Sequence, residues 1–293
     1  MKKGAYTLLI TPFKEDLSLD EEALRRLVRR QVEAGIHGIA PLGVTGENTL
    51  MDEKEVKRVV QIIVEEANGK TPVMPDICGM RLDKSLDRVK MYANLGVDYI
   101  VSYTPCLILP RPEGLINYYE KLADASPVPI ILHSAKSRTG VELTPEMTAI
   151  LAKHPNIVAT KDGNKQLDHL AKVIYLTRDE NFDVFTGKDT TAYPTVAFGG
   201  SGSFTVSGNV IPEVMKKMVD FAVNGENEKA RAIHIEYYPL FEALRFETNP
   251  MAAKKALELM GLINGSLRPP LTPLSEGKTE ILKCIMKERG LIQ

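Results

Sequence analysis

The chain has 293 residues, of which 44% are hydrophobic and 26% charged, a balance that is ordinary for a globular protein with a substantial core. Its 37 basic and 38 acidic side chains are well mixed and leave a formal net charge of −1, so the basic excess expected of a nucleic-acid or anionic-membrane partner is missing. The three cysteines are widely spaced, without a CxxC motif or a histidine at ligand spacing, which argues against both a disulfide framework and a zinc site.

The sequence also gives no sign of export or membrane insertion. It begins MKKGAYTLLITPFKED, where the apolar run ends too early for the hydrophobic region of a signal peptide. No stretch approaches the roughly 20 apolar residues of a membrane-spanning helix. We therefore expect a cytoplasmic protein that binds neither membranes nor nucleic acid.

Short β-type runs alternate with amphipathic helical patterns through most of the chain. A capping-box pattern at Ser18–Glu21 predicts the start of the first helix. Strands that alternate with helices pair in parallel through βαβ units, and eight such units favour a (β/α)8 TIM barrel. An open doubly wound sheet is the alternative, but the GxGxxG motif that usually follows its first strand is absent. The predicted strands span residues 5–11, 38–43, 71–77, 97–103, 128–133, 156–161, 182–187 and 202–208.

Beyond Pro212 the pattern becomes entirely helical, and no low-complexity linker separates this part from the rest. We expect two units in the α/β chain. Residues 1–211 would form the barrel, and residues 212–293 would form a C-terminal helical extension packed against it.

The chemistry of such a barrel lies at the C-terminal ends of its strands, where this chain places one amine. Lys161 closes the apolar run NIVATK. On position alone, a solvated lysine in a loop is the favoured interpretation. The alternative is a Schiff-base lysine, because desolvation among apolar neighbours lowers the pKa and frees a neutral amine to attack a ketone.

Other strand ends carry groups that could act with this amine. His133 could exchange protons near neutrality, or it could be a satisfied histidine at a strand terminus. Arg138 could hold a carboxylate or form a surface ion pair. Asp76 and Asp189 could be carboxylates of the site, but helix caps are the favoured interpretation. The loop GVTGEN at 43–48 suits a carboxylate or phosphate, or it is simply a turn that needs glycine.

These strand-end residues resemble those of the dihydrodipicolinate synthase / N-acetylneuraminate lyase family of pyruvate-dependent class I aldolases. The resemblance covers nearly the whole chain, and its pieces occur in order and at the right spacing. Besides Lys161 in the sixth strand, the matching pieces are TPF (11–13), GVTGE (43–47), SRTG (137–140), FTGKD (185–189), GNVIP (208–212), NPMAAK (249–254) and RPPL (268–271).

The resemblance implies that Lys161 condenses with the ketone of pyruvate or another 2-keto acid. The backbone amides of Val44 and Thr45, with the Thr45 hydroxyl, would hold the carboxylate of this small-molecule partner. It further implies that no metal or organic cofactor is needed and that the chain forms a homotetramer, a dimer of dimers. We expect Lys161 and His133 to be catalytic, and we expect the substrate to be bound by Val44, Thr45, Gly46, Leu107, Arg138, Gly187, Asp189 and Phe204.

The chain departs from the family pattern at three hydroxyl-bearing positions. His133 replaces the tyrosine that shuttles protons, Leu107 replaces a second tyrosine that is donated across the dimer, and Val44 replaces a threonine. These departures favour a Schiff-base lyase, an aldolase or dehydratase that acts on pyruvate or a 2-keto-3-deoxy sugar acid with His133 as proton shuttle. The alternatives are a dihydrodipicolinate synthase with an altered proton relay and a non-catalytic homologue that binds 2-keto acids.

Overall fold

The computed structural model describes residues 1–79, 81–164 and 166–293. Eight parallel strands alternate with helices and form a nearly closed barrel, which confirms the predicted (β/α)8 TIM barrel. The strands are β1 Gly4–Leu8, β2 Gly38–Ala40, β3 Asp76–Ile77, β4 Ile100–Tyr103, β5 Ile130–Ser134, β6 Ile157–Asp162, β7 Asp183–Thr186 and β8 Gly202–Thr205.

Hydrogen bonding joins the strands in the order β2-β1-β8-β7-β6-β5-β4-β3. An isolated parallel bridge between Ile39 and Val73 connects the two ends of this sheet. All the pairs are parallel because each connection crosses over through a helix. The strands are buried on both faces, which explains why they appear in the sequence as nearly continuous apolar runs.

Each connecting helix turns an apolar face toward the barrel. The first helix begins at Glu21, and its N-cap is Asp20, whose carboxylate accepts a hydrogen bond from the Ala23 backbone N–H. The predicted capping box at Ser18 is therefore wrong, because the Ser18 hydroxyl donates to Asp16 instead. The helices of this part are α1 Glu21–Glu33, α2 Glu53–Ala67, α3 Leu82–Asn94, α4 Pro112–Asp124, α5 Lys136–Thr139, α6 Pro145–Leu151, α7 Leu167–Thr177 and α8 Ala192–Ala197, with short 3₁₀ turns at Asn48–Leu50, Asp189–Thr191 and Ser207–Asn209.

Four helices follow the last strand, as the sequence predicts. They are α9 Pro212–Val223, α10 Asn227–Ala243, α11 Met251–Leu259 and α12 Glu276–Glu288. Helix α9 packs against β1, and α12 packs against α10 and α11. The division into two domains at residue 211 stays a prediction. Among the described residues, no helix combines the length and apolar character needed to cross a membrane.

Candidate active site

Three neighbouring strands place a tyrosine, a histidine and a lysine side by side at the C-terminal mouth of the barrel. Tyr103 of β4 lies opposite His133 of β5 in the parallel register, and His133 lies opposite Lys161 of β6. All three are at most 5% exposed. The ring centroids of Tyr103 and His133 are 3.7 Å apart. Side chains at one register level leave the sheet on the same side, so the barrel brings the three functional groups together.

A fourth group, the carboxylate of Asp76 at the start of β3, joins this cluster from the next strand. Its Oδ2 lies 3.6 Å from Lys161 Nζ and 3.3 Å from His133 Nδ1, and the residue is 1% exposed. The favoured sequence interpretation of Asp76 as a helix cap is wrong, because Arg81 is the residue that precedes α3. Asp76 is instead the only carboxylate whose contact with the Lys161 amine the structure describes.

Burial changes the chemistry of the Lys161 amine. Desolvation lowers the pKa of Lys161 to about 8, and the negative charge of Asp76 opposes part of that shift. At pH 7.5 a group with this pKa is roughly one quarter neutral, against about one part in a thousand for an ordinary lysine. The ring centroid of Phe204 lies 5.5 Å from the nitrogen and forms part of its apolar surroundings. The amine is therefore available as a nucleophile near neutral pH.

His133 is positioned to exchange a proton with both neighbours. Burial lowers the pKa of His133 to about 4, with a further lowering from the charge of Lys161 and an opposing effect from Asp76. The imidazole is consequently neutral at pH 7, and its titration lies well below the near-neutral range expected from the sequence. Its Nδ1 lies 3.4 Å from Asp76 Oδ1 and 3.3 Å from Lys161 Nζ. This nitrogen donates to the carboxylate in one tautomer and accepts from the amine in the other.

Tyr103 brings a phenol to the site from the end of β4. Its hydroxyl accepts a hydrogen bond from the Val44 backbone N–H over 3.4 Å. Burial raises the pKa of Tyr103 well above its usual value, and the charge of Asp76 raises it further, so the phenol keeps its proton. Tyr103 is not among the site residues predicted from the sequence. Its position at the end of a predicted strand is the signal that marks it.

The loop after β2 is held in place from two sides. The Asn249 side-chain amide donates to the Thr45 hydroxyl over 2.9 Å. Glu47, at a positive φ of 54°, forms an ion pair of 2.5 Å with Lys254 of α11, and both side chains are fully buried. Gly46 has no room for a side chain, because a Cβ there would lie 2.7 Å from the Leu42 backbone nitrogen. The C-terminal helices thus fix the backbone of the loop at the barrel mouth.

A cavity of about 310 Å³ opens above the amine. Two of its lining residues, Arg245 and Asn249, come from the segment between α10 and α11 and were not selected from the sequence. Six of the predicted residues also line it: Lys161, His133, Val44, Thr45, Arg138 and Gly187.

Four predicted binding residues, Gly46, Leu107, Asp189 and Phe204, are not among the described residues that line this cavity. Leu107 is 84% exposed on the loop after β4. Asp189 is fully buried, and its Oδ2 accepts from the backbone N–H and the hydroxyl of Ser207 over 3.0 and 2.8 Å. Phe204 lies inside the barrel beside the Lys161 amine. Gly46 permits the tight backbone of the loop after β2 but does not itself line the cavity. In residues 1–79, 81–164 and 166–293, no cluster of three or more His, Cys, Asp or Glu side chains is arranged to hold a metal ion.

The barrel and its buried strand-end lysine define a class I aldolase type of carbon–carbon lyase. The chain belongs to the dihydrodipicolinate synthetase family, whose sequence model matches residues 1–289.

Relatives and solved structures agree with this assignment over the full length. The chain is 37% identical over 288 residues to the 4-hydroxy-tetrahydrodipicolinate synthase of Methanospirillum hungatei, which covers 98% of this chain and 99% of the relative. It is 39% identical over 292 residues to the synthase of Methanopyrus kandleri, covering 99% and 97%. The dihydrodipicolinate synthase structure from Thermotoga maritima has a TM-score of 0.97 at 35% identity, with 100% of both chains covered. The chloride-inhibited enzyme of Acinetobacter baumannii, complexed with pyruvate, has a TM-score of 0.97 at 30% identity and covers 100% of both chains.

Proposed function

We propose that this chain is a 4-hydroxy-tetrahydrodipicolinate synthase that forms a Schiff base between Lys161 and pyruvate and adds the resulting enamine to aspartate semialdehyde. The observation that carries the proposal is the buried amine, with a pKa of about 8, placed 3.6 Å from Asp76 and 3.3 Å from His133. The printed names of relatives at 37% and 39% identity support the choice of reaction. The pyruvate complex of the Acinetobacter baumannii protein supports the choice of the first substrate.

The first half of the reaction makes an imine. The neutral amine of Lys161 adds to the C2 carbonyl of pyruvate, and the carbinolamine loses water when its hydroxyl gains a proton. The backbone amides of Val44 and Thr45 would hold the carboxylate during these steps. The protonated imine then draws electrons from C3, so a C3 proton leaves and an enamine forms.

The second half makes the new bond. The enamine C3 attacks the aldehyde carbon, the imine is restored, and the aldehyde oxygen takes up one proton. The amino group that came with aspartate semialdehyde then attacks the imine carbon, which closes the ring and displaces Lys161 as the free amine. We assign the proton exchanges to the pair of His133 and Asp76, and we assign the donor to the aldehyde oxygen to Tyr103, whose phenol keeps its proton.

A second candidate function acts on a 2-keto-3-deoxy sugar acid through the same imine. The reaction is either aldol cleavage, which releases pyruvate, or dehydration. It is favoured by the departures at Val44, Leu107 and His133, which remove the family's usual hydroxyl groups. Both candidates require Lys161, and they differ in the second reactant.

Borohydride trapping and turnover assays separate these possibilities. Reduction in the presence of pyruvate should attach the three-carbon acid to Lys161, and Lys161→Met should abolish the adduct. Absence of an adduct at saturating pyruvate would refute the whole mechanism. With the adduct present, turnover with aspartate semialdehyde supports the synthase, and either pyruvate release from sugar acids or their dehydration supports the second candidate. No turnover with any of these compounds supports a non-catalytic homologue.

We also propose that the chain works in the cytoplasm as a homotetramer, a dimer of dimers. Support for an interface comes from Leu107, Ile108 and Leu109, three consecutive apolar side chains that are 84%, 60% and 74% exposed. Light scattering should give the mass of four chains, and Leu107→Asp should reduce it to a smaller species. A monomeric wild-type protein would contradict the proposal.

A further inference from the structure

Two arginines line the active-site cavity without a carboxylate partner among the described residues. Arg138 comes from the short helix α5 after β5, and Arg245 comes from the segment after α10. Within the described parts of the chain, no Asp or Glu oxygen lies within 4.0 Å of either guanidinium. Arg138 is exposed, whereas Arg245 is half-buried. Half-buried arginines in proteins usually pair with an anion, so Arg245 is the stronger candidate for an anion-binding group.

Arg245 is held beside the reactive amine. Its Nη2 donates to the carbonyl oxygen of Gly187 over 2.7 Å. Gly187 adjoins the lysine side chain, since a Cβ on this glycine would lie 3.6 Å from Lys161 Cε. The charge of Arg245 is also felt by the amine, because it adds to the lowering of the pKa of Lys161.

Among the described residues, Arg245 makes one side-chain hydrogen bond, the one to Gly187. Its Nε is shielded from solvent and has no hydrogen-bond partner in the described parts of the chain, so the group left to meet a ligand in the cavity is Nη1. The nearby carboxylate of Glu247 also lines the cavity, but it accepts hydrogen bonds from the backbone N–H and the hydroxyl of Ser275. Asp76 is committed to Lys161 and His133. No carboxylate of residues 1–79, 81–164 or 166–293 therefore balances Arg245 from inside the cavity.

We propose that Arg245 binds a second anionic group of the substrate, at the end away from the carbon that reacts with Lys161. The cavity would then select 2-oxo acids or adducts with two negative ends, one at the Val44 and Thr45 amides and the other, a carboxylate, at Arg245. This inference rests on the proposed imine at Lys161 and specifies the charge of the reactants that the site prefers.

The test compares two 2-oxo acids of equal chain length, 2-oxoglutarate and 2-oxopentanoate, in borohydride trapping on Lys161, with pyruvate as reference. A charge-assisted hydrogen bond should let the wild type trap 2-oxoglutarate at a concentration roughly 10- to 100-fold lower than 2-oxopentanoate. Arg245→Leu should remove this preference, and Arg245→Lys should keep part of it. The measured quantity is the ratio of the half-saturating concentrations of 2-oxopentanoate and 2-oxoglutarate. A change in the reactivity of the Lys161 amine alters both concentrations equally and leaves this ratio unchanged.

Arg231→Leu on the exposed face of α10 is the matched control, and it should leave the preference unchanged. Equal trapping of the two acids by the wild type overturns the inference, and this result does not depend on how well any variant folds. A preference for 2-oxoglutarate that survives in Arg245→Leu also overturns it. An equal loss of trapping for all three acids in Arg245→Leu would assign Arg245 a purely structural role and overturn it too. Absence of any adduct, including that of pyruvate, would overturn the proposed function and this inference together.

Discussion

Replacing Asp76 by asparagine should change imine formation and turnover in opposite directions. Asp76 raises the pKa of Lys161 against the lowering caused by burial. Asparagine keeps the size of the side chain and removes its charge, so the pKa of Lys161 should fall below about 8. More of the amine is then neutral at slightly acidic pH, and pyruvate should be captured faster. Turnover should decrease, because the partner that exchanges protons with His133 is lost.

The distance between the two groups gives the size of the effect. At 3.6 Å and an effective dielectric constant of about 20, the attraction between unit charges is about 4–5 kcal/mol. That corresponds to about three pKa units, an upper limit because the amide dipole of asparagine replaces part of the interaction. A fall of only one unit would raise the neutral fraction at pH 6.5 roughly eightfold. Loss of a general acid–base partner should lower kcat by about 10²- to 10⁴-fold.

The assay is the initial rate of borohydride-trapped adduct between pH 5.5 and 9, set beside kcat measured with the aldehyde. Asp98→Asn is the matched control, because Asp98 lies at the opposite end of β4 and its carboxylate accepts from the Val73 backbone N–H. This control should leave the trapping midpoint unchanged. A midpoint that stays the same or rises in Asp76→Asn would refute the electrostatic reasoning, and an unchanged kcat would refute the role in proton exchange.

Three further changes test separate parts of the structure. Tyr103→Phe should keep the pyruvate adduct but lower kcat by about 10²- to 10⁴-fold through loss of a proton donor. Tyr118→Phe loses a 2.9 Å hydrogen bond to a serine outside the cavity and should leave kcat near wild type. Equal effects of the two would contradict the role of the phenol. Lys254→Met leaves the buried carboxylate of Glu47 without its 2.5 Å partner and should lower the free energy of unfolding, measured in urea, by about 3–5 kcal/mol. Adding Glu47→Gln should recover part of this loss. A loss below about 1 kcal/mol would contradict the role of the ion pair. The pKa of His133 is about 4 in the folded chain and about 6.5 in the unfolded chain, so the unfolded chain binds the proton first as the pH falls. The free energy of unfolding should therefore decrease by about 3 kcal/mol between pH 6.5 and 4, and His133→Asn should abolish this decrease. An equal pH dependence in the variant would refute the reasoning.

The fold was predictable because its signals are local and repeated. Each strand is a short apolar run, each helix has an apolar face, and their strict alternation leaves few topologies. Lys161 and His133 were also accessible, since both close a strand and strand ends meet at one mouth of the barrel. The start of the first helix was misplaced because Ser18 and Asp20 are both good caps by residue type, and only the local hydrogen bonds distinguish them.

The remainder of the site depends on contacts between distant parts of the chain. Asp76 is an equally reasonable helix cap until the register of β3 and β4 places it against Lys161. Arg245 reaches the cavity from the turn after α10, 58 residues away from its partner Gly187, and no local pattern marks it. Asp189 follows β7 and begins a 3₁₀ turn, and the nearby hydroxyl of Ser207 draws its carboxylate into the wall of the barrel. Strand-end position therefore predicts that a residue lies near the mouth, while its direction depends on its neighbours.

The position of Tyr103 changes how the missing family tyrosines should be weighed. Adjacent strands of a sheet are only about 4.8 Å apart. A phenol on β4 can therefore occupy nearly the same space as one on β5, and the rings of Tyr103 and His133 lie 3.7 Å apart. Replacement of a tyrosine by His133 in the sequence is thus not the loss of a phenol from the site. Because a protonated phenol, a neutral imidazole and a carboxylate all lie around the amine, the departure from the family pattern argues less against the synthase reaction than the sequence alone suggests.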